Sequence, residues 1–172
     1  YDLSRRHHPD FQQAESPEVQ ARALEQSALV NTAYRTLRDP IARIEYLVRL
    51  EEGRETREGS PVKPKAPPEL LQEMFEVQEM LEEAKAGGLD ASGRNGVAAE
   101  RERLAARCRE EEERLTGSLA AEWDAAPTAD RPRLVTVLKD VLARRAYLRT
   151  VIDDLDAALA EPEDSDVTHH RH

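Results

Sequence analysis

The sequence predicts an all-α protein, and three observations carry that prediction. Apolar residues recur at three- and four-residue spacing over long stretches. No run of alternating apolar and polar residues bounded by turn signals occurs, so strands are not needed to explain the pattern. The 7 glycines and 10 prolines fall mostly in a few places, which leaves uninterrupted segments of helical length between them.

Taken in order, the first helix opens at Ser16-Pro17-Glu18, an N-cap residue followed by proline in the first turn and an early acid. It is expected to run to about Arg38 with Ala23, Leu24, Ala28, Val30, Tyr34 and Leu37 as its apolar positions. Asp39-Pro40 stops it and starts a second helix, with Ile41, Ile44, Leu47 and Leu50 on one face and Gly53 at its end. Residues 53–68 contain Gly53, Gly59, Pro61, Pro64, Pro67 and Pro68 and almost no apolar side chains, the composition of a linker. A helix from Glu69 to about Ala86 ends at Gly87-Gly88, and a loop is expected through Gly93 and Gly96. One long helix should then span Val97 to Ala125, stopped by Pro127. The last helix opens around Asp130 to Pro132 and carries Leu134, Val137, Leu138, Val141, Leu142, Leu148, Ile152, Leu155 and Leu159 in a near-continuous stripe until Pro162. The polar residues that follow are expected to be disordered.

Composition excludes several functions. The 172 residues carry a formal charge of -10, from 25 Lys+Arg against 35 Asp+Glu, so binding to nucleic acid or an anionic membrane through bulk electrostatics is disfavoured. No apolar run approaches the ~20 residues needed to span a bilayer. Cys108 is the single cysteine, which precludes an internal disulfide and fits a reducing, cytoplasmic compartment. Residue 1 is Tyr, so the native N-terminus is expected to be missing.

Two segments concentrate polar chemistry. The first is Arg5-Arg6-His7-His8-Pro9-Asp10. Its local composition reads as a solvated turn, with proline holding φ and Asp10 bonding back to the backbone. A metal-dependent hydrolase built on His7, His8 and Asp10 is the alternative, although the spacing is not that of helical metal ligands and no phosphate loop or nucleophile accompanies it. The second segment is residues 69–83, with six glutamates and no Lys or Arg. Here Leu70, Met74, Val77 and Leu81 form the core-facing stripe, and Gln72, Phe75, Glu76, Glu79 and Glu83 fall opposite, with Leu71 at the border. Phe75 is therefore predicted to be exposed among carboxylates. In a chain with only 2 Phe, 4 Tyr and 1 Trp, an aromatic on a charged face points to a partner. Cys108, among charged neighbours, reads as structural; Trp123 and Tyr34 read as packing residues; His169, His170 and His172 read as tail residues.

The HPDF sequence at 8–11, followed by QSALVNTAYRTLRDPIARIEYLVRL at 26–50, resembles the HscB family of J-domain co-chaperones of iron-sulfur cluster assembly. Asn31, Ala33, Tyr34, Leu37, Pro40, Arg43, Tyr46 and Leu47 carry the resemblance beyond the bare HPD tripeptide. It implies a partial J domain, a helical hairpin plus a short helix lacking the first helix and most of the second, over residues 1–52. A linker would follow at 53–68, a three-helix client-binding and oligomerisation domain at 69–160, and a disordered tail at 161–172. It implies no cofactor and no active site in this chain. His8, Pro9 and Asp10, helped by Arg5 and Arg6, would dock on a DnaK/HscA-type chaperone and stimulate its ATPase. Leu71, Gln72, Phe75, Glu76, Glu79 and Glu83, with Tyr147 as a neighbour, would bind an IscU-type iron-sulfur scaffold protein in a bacterial cytoplasm. The sequence departs from the family pattern at His7, usually apolar, at Phe11, often basic, and at Gln72 and Phe75, often Met and Leu. Competing readings are a J protein serving another client and a structural protein whose long helices self-associate.

Overall fold

The computed structural model describes residues 16–53, 68–87 and 89–160, and every regular element among them is helical. The chain divides into two compact units, Tyr1–Thr56 and Arg57–His172.

In the first unit, α1 (Pro17–Arg38) and α2 (Pro40–Glu51) form a hairpin. Ser16 has extended backbone and its Oγ accepts from the Val19 amide at 3.5 Å. Asp39 both ends α1 and starts α2. The residue before a proline is pushed out of the helical region, and Asp39 accordingly sits at φ -80, ψ 122. Its Oδ1 then accepts from the Ala42 amide at 2.8 Å, capping the new helix. Gly53, at φ 66, closes α2 in the left-handed conformation that glycine adopts without a Cβ penalty.

The hairpin buries less than its sequence suggests. Ala23, Ile44 and Val48 are buried, whereas Leu24, Leu29, Leu37 and Leu50 are exposed. Tyr34, expected in interhelix packing, is 59% exposed, with the Arg38 guanidinium 5.8 Å from its ring centre. Two helices share one interface, so each can bury one narrow stripe there, and the broad apolar face of α1 extends beyond it.

The second unit begins with a 3₁₀ turn (Pro68–Leu70) that leads into α3 (Leu71–Gly87). Next come α4 (Ala91–Arg114), a π-helical segment (Leu115–Leu119) and α5 (Ala120–Ala125), which together form one continuous rod. After a 3₁₀ turn (Thr128–Asp130), α6 (Arg131–Ala160) runs back along it. The ion pairs between rods give the direction: Arg101 pairs with Asp156, Glu111 and Glu112 with Arg144 and Arg145, and Glu122 with Arg133, so the start of the first rod lies beside the end of α6. At the far end the Arg94 guanidinium donates to the Leu159 carbonyl at 2.7 Å, covering an unpaired C-terminal carbonyl of α6.

Two expectations for the rod are corrected. Gly93 and Gly96 lie inside α4 rather than in a loop, because Asp90 caps the helix seven residues before Val97: its Oδ1 accepts from the Gly93 amide at 2.7 Å. A Cβ at Gly93 would lie 3.0 Å from Leu89 Cδ2, so the glycine permits that close packing. The single helix expected to Ala125 contains a π turn. Leu115, Leu119 and Trp123 are all buried and follow one another at steps of four. Each such step overshoots a 3.6-residue turn by about 40°. The wider π turn removes that drift and keeps all three facing α6.

The main core joins Val77 and Leu81 of α3, Val97, Leu104, Ala105 and Cys108 of α4, and Leu148, Val151, Ile152, Leu155 and Ala158 of α6. At the other end of the rod Leu115, Leu119 and Trp123 are buried together with Leu134, Leu138 and Val141 of α6. The Arg131 guanidinium lies 5.2 Å from the Trp123 ring centre, so the packing role expected of Trp123 holds.

Candidate functional site

The site is built on α3. Leu70, Val77 and Leu81 are buried, and Met74 and Met80 are half-buried beside them, which is the core stripe expected from the periodicity. The opposite side faces solvent. Phe75 is 68% exposed and Leu71 42%, and Gln72, Glu76, Gln78, Glu79, Glu82 and Glu83 are all exposed. Residues three and four apart are neighbours on a helix. Phe75 therefore lies beside Leu71 and Gln72 on one side along the axis and beside Gln78 and Glu79 on the other. The result is an apolar pair bordered by carboxylates.

One glutamate of this segment behaves differently. Glu73 is half-buried and turned toward α4, where its two carboxylate oxygens accept from Arg107 Nη1 at 2.5 and 2.6 Å. Arg103 Nη1 lies 2.9 Å from the same carboxylate, and Arg103 is itself held by Glu100. Burial pushes the Glu73 carboxyl upward, but hydrogen bonds from Arg107 and Arg103, with their charges, outweigh it and bring the group below its ordinary value. The charge of the exposed face thus rests on Glu76, Glu79, Glu82 and Glu83 among the described side chains.

The structure brings together Leu71, Gln72, Phe75, Glu76, Glu79 and Glu83 on one exposed helix face. Tyr147 lies on α6. It is half-buried and packed against the core, and burial, with a smaller push from the Glu73 charge, raises its hydroxyl pKa. Arg5, Arg6, His7, His8, Pro9 and Asp10 lie outside the described residues, as does the tail from residue 161. Sequence reasoning missed two residues here. Glu82 falls seven positions after Phe75, on the same side of the helix, a spacing that would have found it. Glu73 flanks the core stripe, and its only signal is the pair Arg103 and Arg107, one helical turn apart on α4.

Among the described residues no group of three or more His, Cys, Asp or Glu side chains is placed to hold a metal ion. None of the described helices is long and apolar enough to cross a membrane. Chemically, the face on α3 is equipped to bind rather than to react: it offers apolar area and fixed negative charge.

Fold and site together define a helical unit that displays an acid-bordered apolar face. Residues 66–131 match the family model described as the HSCB C-terminal oligomerisation domain, a span that begins just before α3 and ends where α6 opens. The match is a likeness of this segment to the C-terminal domain of the HscB family. No solved structure matches the chain.

Proposed function

We propose that this protein is a co-chaperone that binds an IscU-type iron-sulfur scaffold protein through α3 and delivers it to a DnaK/HscA-type chaperone in the cytoplasm. The observation that carries the reading is the exposed Leu71–Phe75 pair set among carboxylates, within a segment matched by an HscB domain model. An exposed aromatic held by a rigid helix loses little conformational freedom on docking, and apolar anchors of this kind dominate interface energies. The surrounding glutamates favour a partner with a basic surface and steer its approach. Gln72, Glu76, Glu79 and Glu83 would form the polar rim.

Residues 1–52 would serve as the J domain, with His8, Pro9 and Asp10 docking on the chaperone and Arg5 and Arg6 drawing it in by charge. Proline limits the freedom the loop loses on docking, and Asp10 can make a charge-assisted bond to a cation of the chaperone. ATP would be bound and hydrolysed by the chaperone, not by this chain. Residues 69–160 would form the client-binding and oligomerisation domain, joined through the linker at 53–68.

Isothermal titration of an IscU-type scaffold into the full chain tests the binding half. The double change Phe75→Ala with Glu79→Ala is expected to weaken binding at least about tenfold, the equivalent of one anchor residue; unchanged affinity would rule this face out. In the same preparation Asp10→Asn is expected to abolish stimulation of the chaperone's ATPase while leaving scaffold binding intact.

A further inference from the structure

α3 carries two overlapping apolar stripes, and only one of them is buried. At about 100° per residue, Leu70, Val77 and Leu81 cluster on the buried stripe. Leu71 and Phe75 form a second stripe roughly one residue step round the helix, with Met74 between the two. Over its first two turns the second stripe is no less apolar than the first, since Phe75 is larger than Val77. Only toward the C-terminal end do Gln78 and Glu82 mark it as polar. Hydrophobicity alone therefore leaves the roll of the N-terminal half of α3 weakly determined. A roll of one residue step would turn Leu71 and Phe75 inward.

Glu73 breaks that ambiguity. In the observed roll it faces α4 and binds Arg107 through both carboxylate oxygens and Arg103 through one. Among the described residues it is the one α3 side chain with an ion pair to another helix. The alternative roll would swing Glu73 away from α4, taking the Glu73 carboxylate from Arg107 and leaving Arg103 to Glu100 alone. We propose that Glu73 is a positioning residue whose bridge to Arg103 and Arg107 sets the roll of α3 and so keeps Leu71 and Phe75 on the outside, available to a partner. The inference rests on the reading of that face as the scaffold-binding surface. It extends that reading to a residue on the far side of the helix, which need not touch the partner.

A tryptophan reporter tests the roll without any partner. In the full chain, Trp123→Phe with Phe75→Trp leaves a single tryptophan at position 75, which iodide should quench readily. Adding Glu73→Gln, or separately Arg103→Gln with Arg107→Gln, is expected to shield that tryptophan and shift its emission to the blue. Combining all three changes should do no more than either set alone, because each removes the same bridge. Quenching that stays as in the parent overturns the proposal. With Phe75 retained, Glu73→Gln is expected to weaken titration of an IscU-type scaffold about tenfold, and affinity equal to wild type would break the link between the bridge and the face. A parent chain that binds no scaffold overturns the functional reading, while the quenching result still decides the roll. Circular dichroism monitors folding; if the glutamine variants unfold, Arg107→Lys, which keeps the charge but loses the guanidinium geometry, should give a smaller shift in the same direction, and none would overturn the proposal.

Discussion

At the residue scale, two aromatics and a thiol illustrate how local patterns can succeed or mislead. Helical spacing predicts Phe75 in solvent, and it is exposed. The same spacing argument predicts Tyr34 in packing, and it is exposed. Nothing in its periodicity reveals how much partner surface is available to α1. Cys108 is buried at the centre of the α3, α4 and α6 core, consistent with a structural role despite its charged sequence neighbours. Burial, with a smaller contribution from Glu112, raises its thiol above the ordinary value, which suppresses the reactive thiolate. Cys108 is therefore expected to react with a disulfide reagent only as fast as the unit opens. Following thiol labelling at increasing denaturant checks this: labelling under native conditions as fast as for a free cysteine would contradict it.

At the element scale, caps and prolines marked the boundaries well, and glycines marked them less well. Ser16-Pro17, Asp39-Pro40 and Pro127 delimit helices as their chemistry dictates. Gly93 and Gly96 suggested a loop because glycine weakens a helix interior by about 1 kcal/mol relative to alanine. Asp90 at the cap and Val97, fully buried about two turns later, outweigh that preference. The π segment was invisible in sequence, since its cause is the need to keep Leu115, Leu119 and Trp123 on α6. Gly117 lies exposed within it, with nothing within 4 Å of where a Cβ would stand. Gly117→Ala should accordingly stabilise the unit by about 0.5–1 kcal/mol through backbone entropy, measurable as a rise in the urea midpoint without a change in slope. A fall in the midpoint would mean that the π turn requires glycine.

At the scale of the molecule, charge is organised rather than diffuse. Residues 69–83 hold six glutamates, and Glu161, Glu163, Asp164 and Asp166 hold four more acids, which together account for the net -10. Within the helix that charge divides into a solvated face and one acid, Glu73, that ties α3 to α4. The pH consequence follows from the direction of its shift. Its folded pKa lies below the ordinary 4.5, so the bridge adds stability that is complete above that value and is lost as pH falls through the lower folded pKa. Melting curves of wild type and Glu73→Gln should thus differ near neutrality and converge in acid. Curves separated by the same interval at every pH would show that the bridge does not titrate as described.

By itself the sequence determined the helical class, the order of the helices and the caps at Ser16 and Asp39, because each follows from local rules of spacing and chain geometry. Tertiary structure decided what those rules leave open. It placed Trp123 inside and Tyr34 outside, widened one turn to hold the rod in register, and turned Glu73 alone among the described acids of α3 toward two arginines some thirty residues away. Those outcomes depend on which surfaces meet, and a helical repeat specifies a face without specifying what will cover it.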